Sequence, residues 1–326
     1  ERYFYMKSKW KNAVEVQGYI FNFGNDERRQ LKERISGPNS THPGTEYIQG
    51  ELNVATDDEA SNVVTIWFQY VPKVWPAKNG KPERENPTYA ELARLIDTAK
   101  TFESDGVAAT KVRISGNLDV NDFYTREGEL ASPKRIRGSF VHVLNGPISP
   151  NPATFDIECI LSQAINKEVE DGDDYLTLKG YTFDFRNAVL PFEVNVRIPA
   201  AIAYFEGQDI SNTNPLVTNI KGNIVSAIVN KEVEVESAFG ESVIEVSTRT
   251  VRTWDVTWAA KEPMEWDDES SITKVEFKKC LQEREDMLAA EKKRQDEWKA
   301  SQGSSFSATT PAAKAPAPED DDDFAF

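Results

Sequence analysis

The sequence predicts a mainly β protein made of two small tandem barrels, followed by a C-terminal helix and a disordered acidic tail. Period-two alternation of apolar and polar residues recurs between Ala13 and Trp258, the pattern of half-buried strands. A run of residues unsuited to a central strand, Gly146-Pro147-Ile148-Ser149-Pro150-Asn151-Pro152, divides that region in two. Short echoes then recur in the same order on both sides. Ile114-Ser115-Gly116-Asn117-Leu118 is answered by Ile220-Lys221-Gly222-Asn223-Ile224, and Ile48-Gln49-Gly50-Glu51 by Leu178-Lys179-Gly180-Tyr181. This division gives a first barrel in residues 1–146, a second in 147–266, a helix in 267–300, a linker in 301–318 and an acidic tip in 319–326.

The first strand, residues 13–23, puts Val14, Val16, Gly18 and Ile20 on one face and Glu15, Gln17, Tyr19, Phe21 and Phe23 on the other. Aliphatics inside with aromatics among polar residues outside is what a base-stacking platform needs. The alternative is that Phe21 and Phe23 sit under a loop or a second layer. A long basic loop with Arg28, Arg29, Lys32 and Arg34 follows, suited to run along a phosphate backbone. In the second strand, residues 46–55, Ile48, Gly50, Leu52 and Val54 face in and Tyr47 faces out. In the third, Val63 to Val71, the inward set is Val64, Ile66, Phe68 and Tyr70, while Trp67 shares the other face with Thr65 and Gln69. A tryptophan on the polar side of a strand is the foremost candidate for stacking a base.

Lys73, Trp75, Lys78, Lys81 and Arg84 then interleave cations with an aromatic in a Pro/Gly-rich loop. A helix is expected from Thr88 to Phe102, with Thr88 as N-cap and Glu91 completing a capping box. Strand four, Lys111 to Val120, exposes Lys111 and Arg113. A reaching hairpin carries Phe123, Tyr124 and Arg126, and strand five opens with Lys134-Arg135-Ile136-Arg137. Five strands with a helix between the third and fourth describe an OB-fold, a Greek-key barrel whose loop-bearing face binds oligonucleotides in many proteins. The second half repeats the pattern with strands beginning near Phe155, Tyr175 and Phe192 and a last strand from Thr248 to Trp258. There the loop from Ala200 to Pro215 replaces the helix with something shorter. Its outward positions are mostly acidic (Asp156, Glu158, Glu193), with Lys179, Arg186 and Arg197 as exceptions, so it is expected to contribute less to nucleic-acid binding and to hold the first unit or a protein partner. The alternative is one continuous groove over both barrels, strongly basic only in its N-terminal part.

The net charge of −16 conceals a division along the chain. Residues 1–155 carry 20 Lys/Arg against 20 Asp/Glu, whereas residues 156–262 carry 9 against 18, so the acidity belongs to the second half and tail. The first half is free to hold a basic groove. Cys159 and Cys280 have neither metal nor redox spacing, which suits a reducing, cytoplasmic compartment. Two histidines, His42 and His142, supply little for metal or triad chemistry. No Gly-rich phosphate loop or nucleophile motif is present, so neither an enzyme nor a cofactor is expected. No apolar run approaches membrane-spanning length, and Glu1-Arg2-Tyr3-Phe4 has no signal-peptide layout.

Residues 270–300 are dense in Glu, Lys, Gln and Ala and read as a helix capped by Ser271 or Thr273, docked on the second barrel or used for self-association. Ser301 to Pro318 is a linker with a root-mean-square reach of roughly 20–25 Å. The chain given ends Glu319-Asp320-Asp321-Asp322-Asp323-Phe324-Ala325-Phe326. Five carboxylates repel one another and stay solvated, while a terminal aromatic suits a pocket on a partner. This tip and its linker resemble the C-terminal tail of bacterial and bacteriophage single-stranded-DNA-binding proteins, with Ala325 where the usual bacterial ending has a proline. The resemblance implies single-stranded DNA as ligand and recruitment of replication or recombination enzymes through Asp320, Asp321, Asp322, Asp323, Phe324 and Phe326. The rival expectation is a β-rich structural or protein-docking module with a solubilising tail, since surface aromatics also build protein interfaces.

Overall fold

The computed structural model describes residues 10–77, 82–125, 127–169, 174–235, 243–266 and 272–304, with side chains described outside 227–250 and 301–304. The first half contains β1 (Asn12–Asn22), β2 (Lys32–Ile35), β3 (Glu46–Ala55) and β4 (Val63–Pro72). A ribbon of β5 (Val74–Trp75) and β6 (Arg84–Glu85) leads to α1 (Pro87–Thr98) and α2 (Phe102–Asp105). Then come β7 (Lys111–Val120), the ribbon β8 (Phe123–Tyr124) and β9 (Leu130–Ala131), and β10 (Lys134–Val143). The second half contains β11 (Ala153–Lys167), β12 (Tyr175–Phe183), β13 (Val189–Val196), α3 (Pro199–Glu206), β14 (Leu216–Val235) and β15 (Val243–Ala259), followed by α4 (Lys274–Ser304).

Strand pairing closes both halves in the same way. In the first, β1 pairs with β3, β3 with β4, β4 with β10, β10 with β7 and β7 with β1. In the second, the ring is β11, β12, β13, β15, β14 and back to β11. Each ring has one parallel contact, between its third and fifth long strands, and a helix between its third and fourth. The protein is therefore mainly β, with two OB-type barrels in tandem. The repeated glycines have a structural cause. Gly116 stands opposite Val14 and Gly222 opposite Phe155, equivalent places in the two rings. A Cβ on Gly116 would lie 2.3 Å from the Arg137 carbonyl oxygen, and one on Gly222 would lie 2.0 Å from that of Asp255. The fifth strand crosses there too closely for any side chain.

The helices depart from expectation in detail. Asn86, not Thr88, caps α1: its Oδ1 accepts the Thr88 N–H at 3.1 Å, and Pro87 takes the first helical position, where no N–H is needed. Glu91 pairs with Arg94 at 2.6 Å instead of closing a capping box. The helix stops at Thr98, and Phe102 starts the separate α2. In the second barrel the short element is the eight-residue α3. Thr273 and Glu276 form a capping box at the start of α4, through the Glu276 N–H to Thr273 Oγ1 and the Thr273 N–H to Glu276 Oε2, both 3.1 Å. The opening turns dock: Phe277 and Cys280 pack with Trp10, Phe183, Val189 and Ile272. From Gln282 onward the chain forms a second unit, a helical stretch of mixed charge in its described part. No helix among the described residues is long and apolar enough to cross a membrane.

The barrels share one sheet. The first half of β1 pairs antiparallel with the first half of β11, from Asn12 opposite Ile157 to Val16 opposite Ala153. A single apolar cluster runs from Val14 and Phe68 in one barrel to Phe155 and Trp254 in the other. Buried Asn12 staples this joint. Its Nδ2 donates to the carbonyls of Leu118 (2.9 Å) and Phe183 (3.2 Å), and its Oδ1 accepts the Leu118 N–H at 2.8 Å. Lys134 makes a second tie. Its Nζ donates to the Glu193 backbone oxygen and lies 5.7 Å from the Trp254 ring centroid. Burial pushes the Lys134 pKa down to about 8, against the pull of Glu193 and Asp255.

Replacing Asn12 with Ala leaves backbone groups of both barrels unpaired, and should cost about 3 kcal/mol in denaturant unfolding. For Lys134 the folded chain holds fewer protons than the unfolded one between its depressed pKa and 10.5, so this group makes stability rise with pH across that window. Unfolding free energies measured below and above pH 8 should show the rise in the native chain and a flatter profile in Lys134→Met.

Candidate nucleic-acid interface

Strands β3 and β4 carry the outward aromatics of the first barrel, and a bulge between them decides which ones. Ile48 pairs with Val71 but Gly50 pairs with Phe68, so β4 has one residue more than β3 at this point. The extra residue turns Tyr70 outward, 40% exposed, with its ring 4.7 Å from that of Tyr47. Strict alternation places Tyr70 inside; the bulge reverses it. Trp67 keeps its outward side, half-buried, opposite Glu51 on β3 and Arg137 on β10. Its indole N–H is enclosed and has no hydrogen-bond partner among the described residues. Tyr47, Trp67 and Tyr70 thus line one side of adjoining strands, a surface of π faces that suits unpaired bases.

For the aromatics at the end of β1 the outward platform gives way to the alternative, packing beneath another layer. Tyr19 is 5% exposed, its ring meets Phe102 edge-on at 5.7 Å, and its hydroxyl donates to Asp58 Oδ1 at 2.8 Å. That bond, with burial, holds the Tyr19 phenol above its ordinary pKa. Phe21 stacks on Phe102 at 6.2 Å, and Phe23 packs against the main core. Phe102 at the start of α2 lies on Tyr19 and Phe21 at this end of β1, and Phe23, just past the strand, is half-buried on the core, so these rings pack inside the protein more than the outward platform requires.

Many of the cations singled out in the sequence meet a carboxylate. Arg29 lies 3.6 Å from Glu51, Arg113 3.5 Å from Glu15, and Arg135 2.7 Å from Asp119; Lys73 is paired with Glu46. Burial raises the Glu51 pKa, with Arg29 opposing. Lys32 Nζ donates to the Glu27 carbonyl and Arg34 Nη2 to that of Arg28, so the basic loop folds partly on itself. The N–H groups of Arg28 and Arg29 are held by the Asp26 carboxylate, which lowers the pKa of that group. Lys111 sits over the Tyr19 ring, and Lys134 ties the barrels together.

Other cations lie against rings. The Arg84 guanidinium is 4.4 Å from the Trp75 centroid across the β5–β6 ribbon. Phe123 is exposed and Tyr124 half-buried on β8. Lys78, Lys81 and Arg126, and the tip from Asp320 to Phe326, lie outside the described residues.

Period-two reasoning leaves several exposed aromatics unmarked, Phe185 and Trp258 among them. Phe185 lies in the turn between β12 and β13, 68% exposed, with Arg137 at 5.7 Å and Arg186 at 5.0 Å. Its sequence signal is a phenylalanine set among polar turn residues, Asp184-Phe185-Arg186-Asn187. Trp258 on β15 is half-exposed beneath Lys221 Nζ at 4.6 Å, and Lys221 also reaches Asp156 at 3.5 Å. The long β14–β15 hairpin extends past the barrel, and at its base the Ser226 N–H donates to Asn62 Oδ1 of the first barrel at 2.6 Å. Among the described residues no group of three or more His, Cys, Asp or Glu is arranged to hold a metal.

No curated protein matches the chain in sequence. Among solved structures, a deletion mutant of the single-stranded DNA binding protein from Thermus aquaticus is similar at 11% identity and a TM-score of 0.45, over 80% of this chain and 98% of that one. A family model described as YorF matches residues 11–294, and the chain belongs to the YorF family.

Proposed function

We propose that this protein binds single-stranded DNA without catalysis, stacking bases on the first barrel and recruiting replication or recombination enzymes through its acidic tip. The observation that carries the reading is the row of Tyr47, Trp67 and Tyr70 on the outward side of β3 and β4. A row of one exposed and two half-buried rings on the strands of an OB-type barrel suits a ligand whose every unit has a π face, and stacking tolerates any sequence. The surface ion pairs do not oppose this. Pairs between exposed groups are worth little in water, so a phosphate can take the place of Glu46 at Lys73 or of Glu15 at Arg113. Duplex DNA keeps its bases stacked on one another and offers the row nothing.

The tip follows from its resemblance and its charge. Its five carboxylates compete with DNA for the same cations, and they free their aromatic end when DNA wins.

Titration of the full chain with oligo(dT) should quench tryptophan fluorescence, with an affinity that falls steeply as salt rises, while a duplex of equal length should not. Trp67→Ala and Tyr70→Ala should each weaken binding by about 1–3 kcal/mol. Full affinity in both variants would remove the row from the site. Absence of any complex at low salt, with and without the tip, would favour a protein-docking module instead. Deleting Glu319–Phe326 should tighten DNA binding at low salt and abolish capture of a replication enzyme, both measurable with purified components.

A further inference from the structure

We infer that Phe185, Arg137 and Arg186 form a site for one unpaired base and the phosphates on either side of it, built jointly by the two barrels. It rests on the single-strand reading above and extends that reading onto the second barrel, whose acidic outward positions argue against a share in binding.

The turn that carries Phe185 is tightly held. Asp184 Oδ1 accepts the N–H of Arg186 at 2.7 Å and of Ala188 at 2.8 Å. The backbone closes with Asp184 N–H to the Ala188 oxygen and Asn187 N–H to the Asp184 oxygen, both 3.0 Å. Asn187 takes the left-handed conformation at φ 64°, which asparagine tolerates better than most residues. Residues 185 and 186 are thus presented on a fixed support. Such turns favour small polar residues, and a phenyl ring left 68% exposed gains little from burial. Core packing does not account for it.

Its neighbours do. Arg137 comes from β10 of the first barrel and Arg186 from the turn itself, and both lie within cation–π range of the ring. Neither is in an ion pair with a carboxylate among the described residues, unlike Arg29, Lys73, Arg113, Arg135, Lys179 and Arg197. The carboxylate nearest in sequence, Asp184, directs Oδ1 to the turn's own N–H groups. An exposed ring flanked by two guanidinium groups matches a nucleotide in an unpaired strand: a flat base for the ring, and a phosphate on each side for the planar donors. An anion alone has no use for the ring.

The place of this site also fits. Arg137 is the register partner of Trp67, so the site adjoins the outward face of the first barrel. The barrels are joined by the β1–β11 pairing, Asn12 and Lys134, so the ring and the first barrel's guanidinium are held together before any ligand arrives. A strand stacked along β4 continues past Arg137 onto Phe185.

The test uses the full chain and an oligo(dT) long enough to span both barrels. Phe185→Ala should weaken binding about 10-fold with an unchanged melting temperature, and Phe185→Trp should restore affinity and add a quenched fluorescence component. Arg186→Ala should lower the salt slope by about one. Native affinity in Phe185→Ala, beside a weakened Trp67→Ala, would confine the strand to the first barrel and overturn the inference while the function stands. A fall in melting temperature that Phe185→Trp does not repair would mark the ring as packing between barrels and overturn it too. If the native chain binds no single strand, the functional reading fails and takes this site with it.

Discussion

The antiparallel pairing of β1 with β11 is the contact on which the rest of the architecture depends. Each of these first strands is divided. Its opening half pairs with the other barrel, and its closing half pairs with the second long strand of its own. The two open edges therefore satisfy one another in a pseudo-symmetric joint, and neither barrel presents an unpaired edge there. Buried Asn12 supplies the hydrogen bonds that alternate pairing alone cannot, reaching β7 on one side and β12 on the other. A continuous apolar cluster then makes the two barrels one packed body. That rigidity brings the β12–β13 turn against β10, and the base of the β14–β15 hairpin against β4.

Electrostatically the surface is more balanced than its count of cations suggests. Several lysines and arginines of the first barrel, Arg29, Lys73, Arg113 and Arg135, have a carboxylate within ion-pair distance, so the face is not a uniformly basic groove. Partly screened, exposed pairs of this kind keep solubility and exchange partners at little cost. The cations placed against rings, Arg84, Arg137 and Arg186, have a different character, since a guanidinium stacked on an aromatic still offers its donors to a phosphate. In the proposed function, stacking supplies most of the selectivity for an unpaired strand and charge supplies the salt-dependent remainder.

Much of this fold is legible in the chain before any coordinate. Alternation finds the long strands because each has one face on a core, and the Gly116 and Gly222 echoes mark the same close crossing in both barrels. Where local reasoning fails, a neighbour distant in sequence has intervened. Tyr70 faces out because β3 and β4 differ by one residue across a bulge. Tyr19 and Phe21 are covered because Phe102, some 80 residues later, lies on them. Asn86 takes the cap from Thr88 because Pro87 suits the first helical position.

The sequence by itself determined the mainly β character, the two-barrel order, the place of the helix in the first barrel and the division of charge along the chain. These follow from short-range periodicity and composition, which act within a few residues. Only the tertiary structure decided which aromatics meet solvent, which cations remain clear of a carboxylate, and that Phe185 of one barrel stands beside Arg137 of the other. Those outcomes depend on strand register and on the β1–β11 joint, and register is set by pairing partners that no local window of sequence contains.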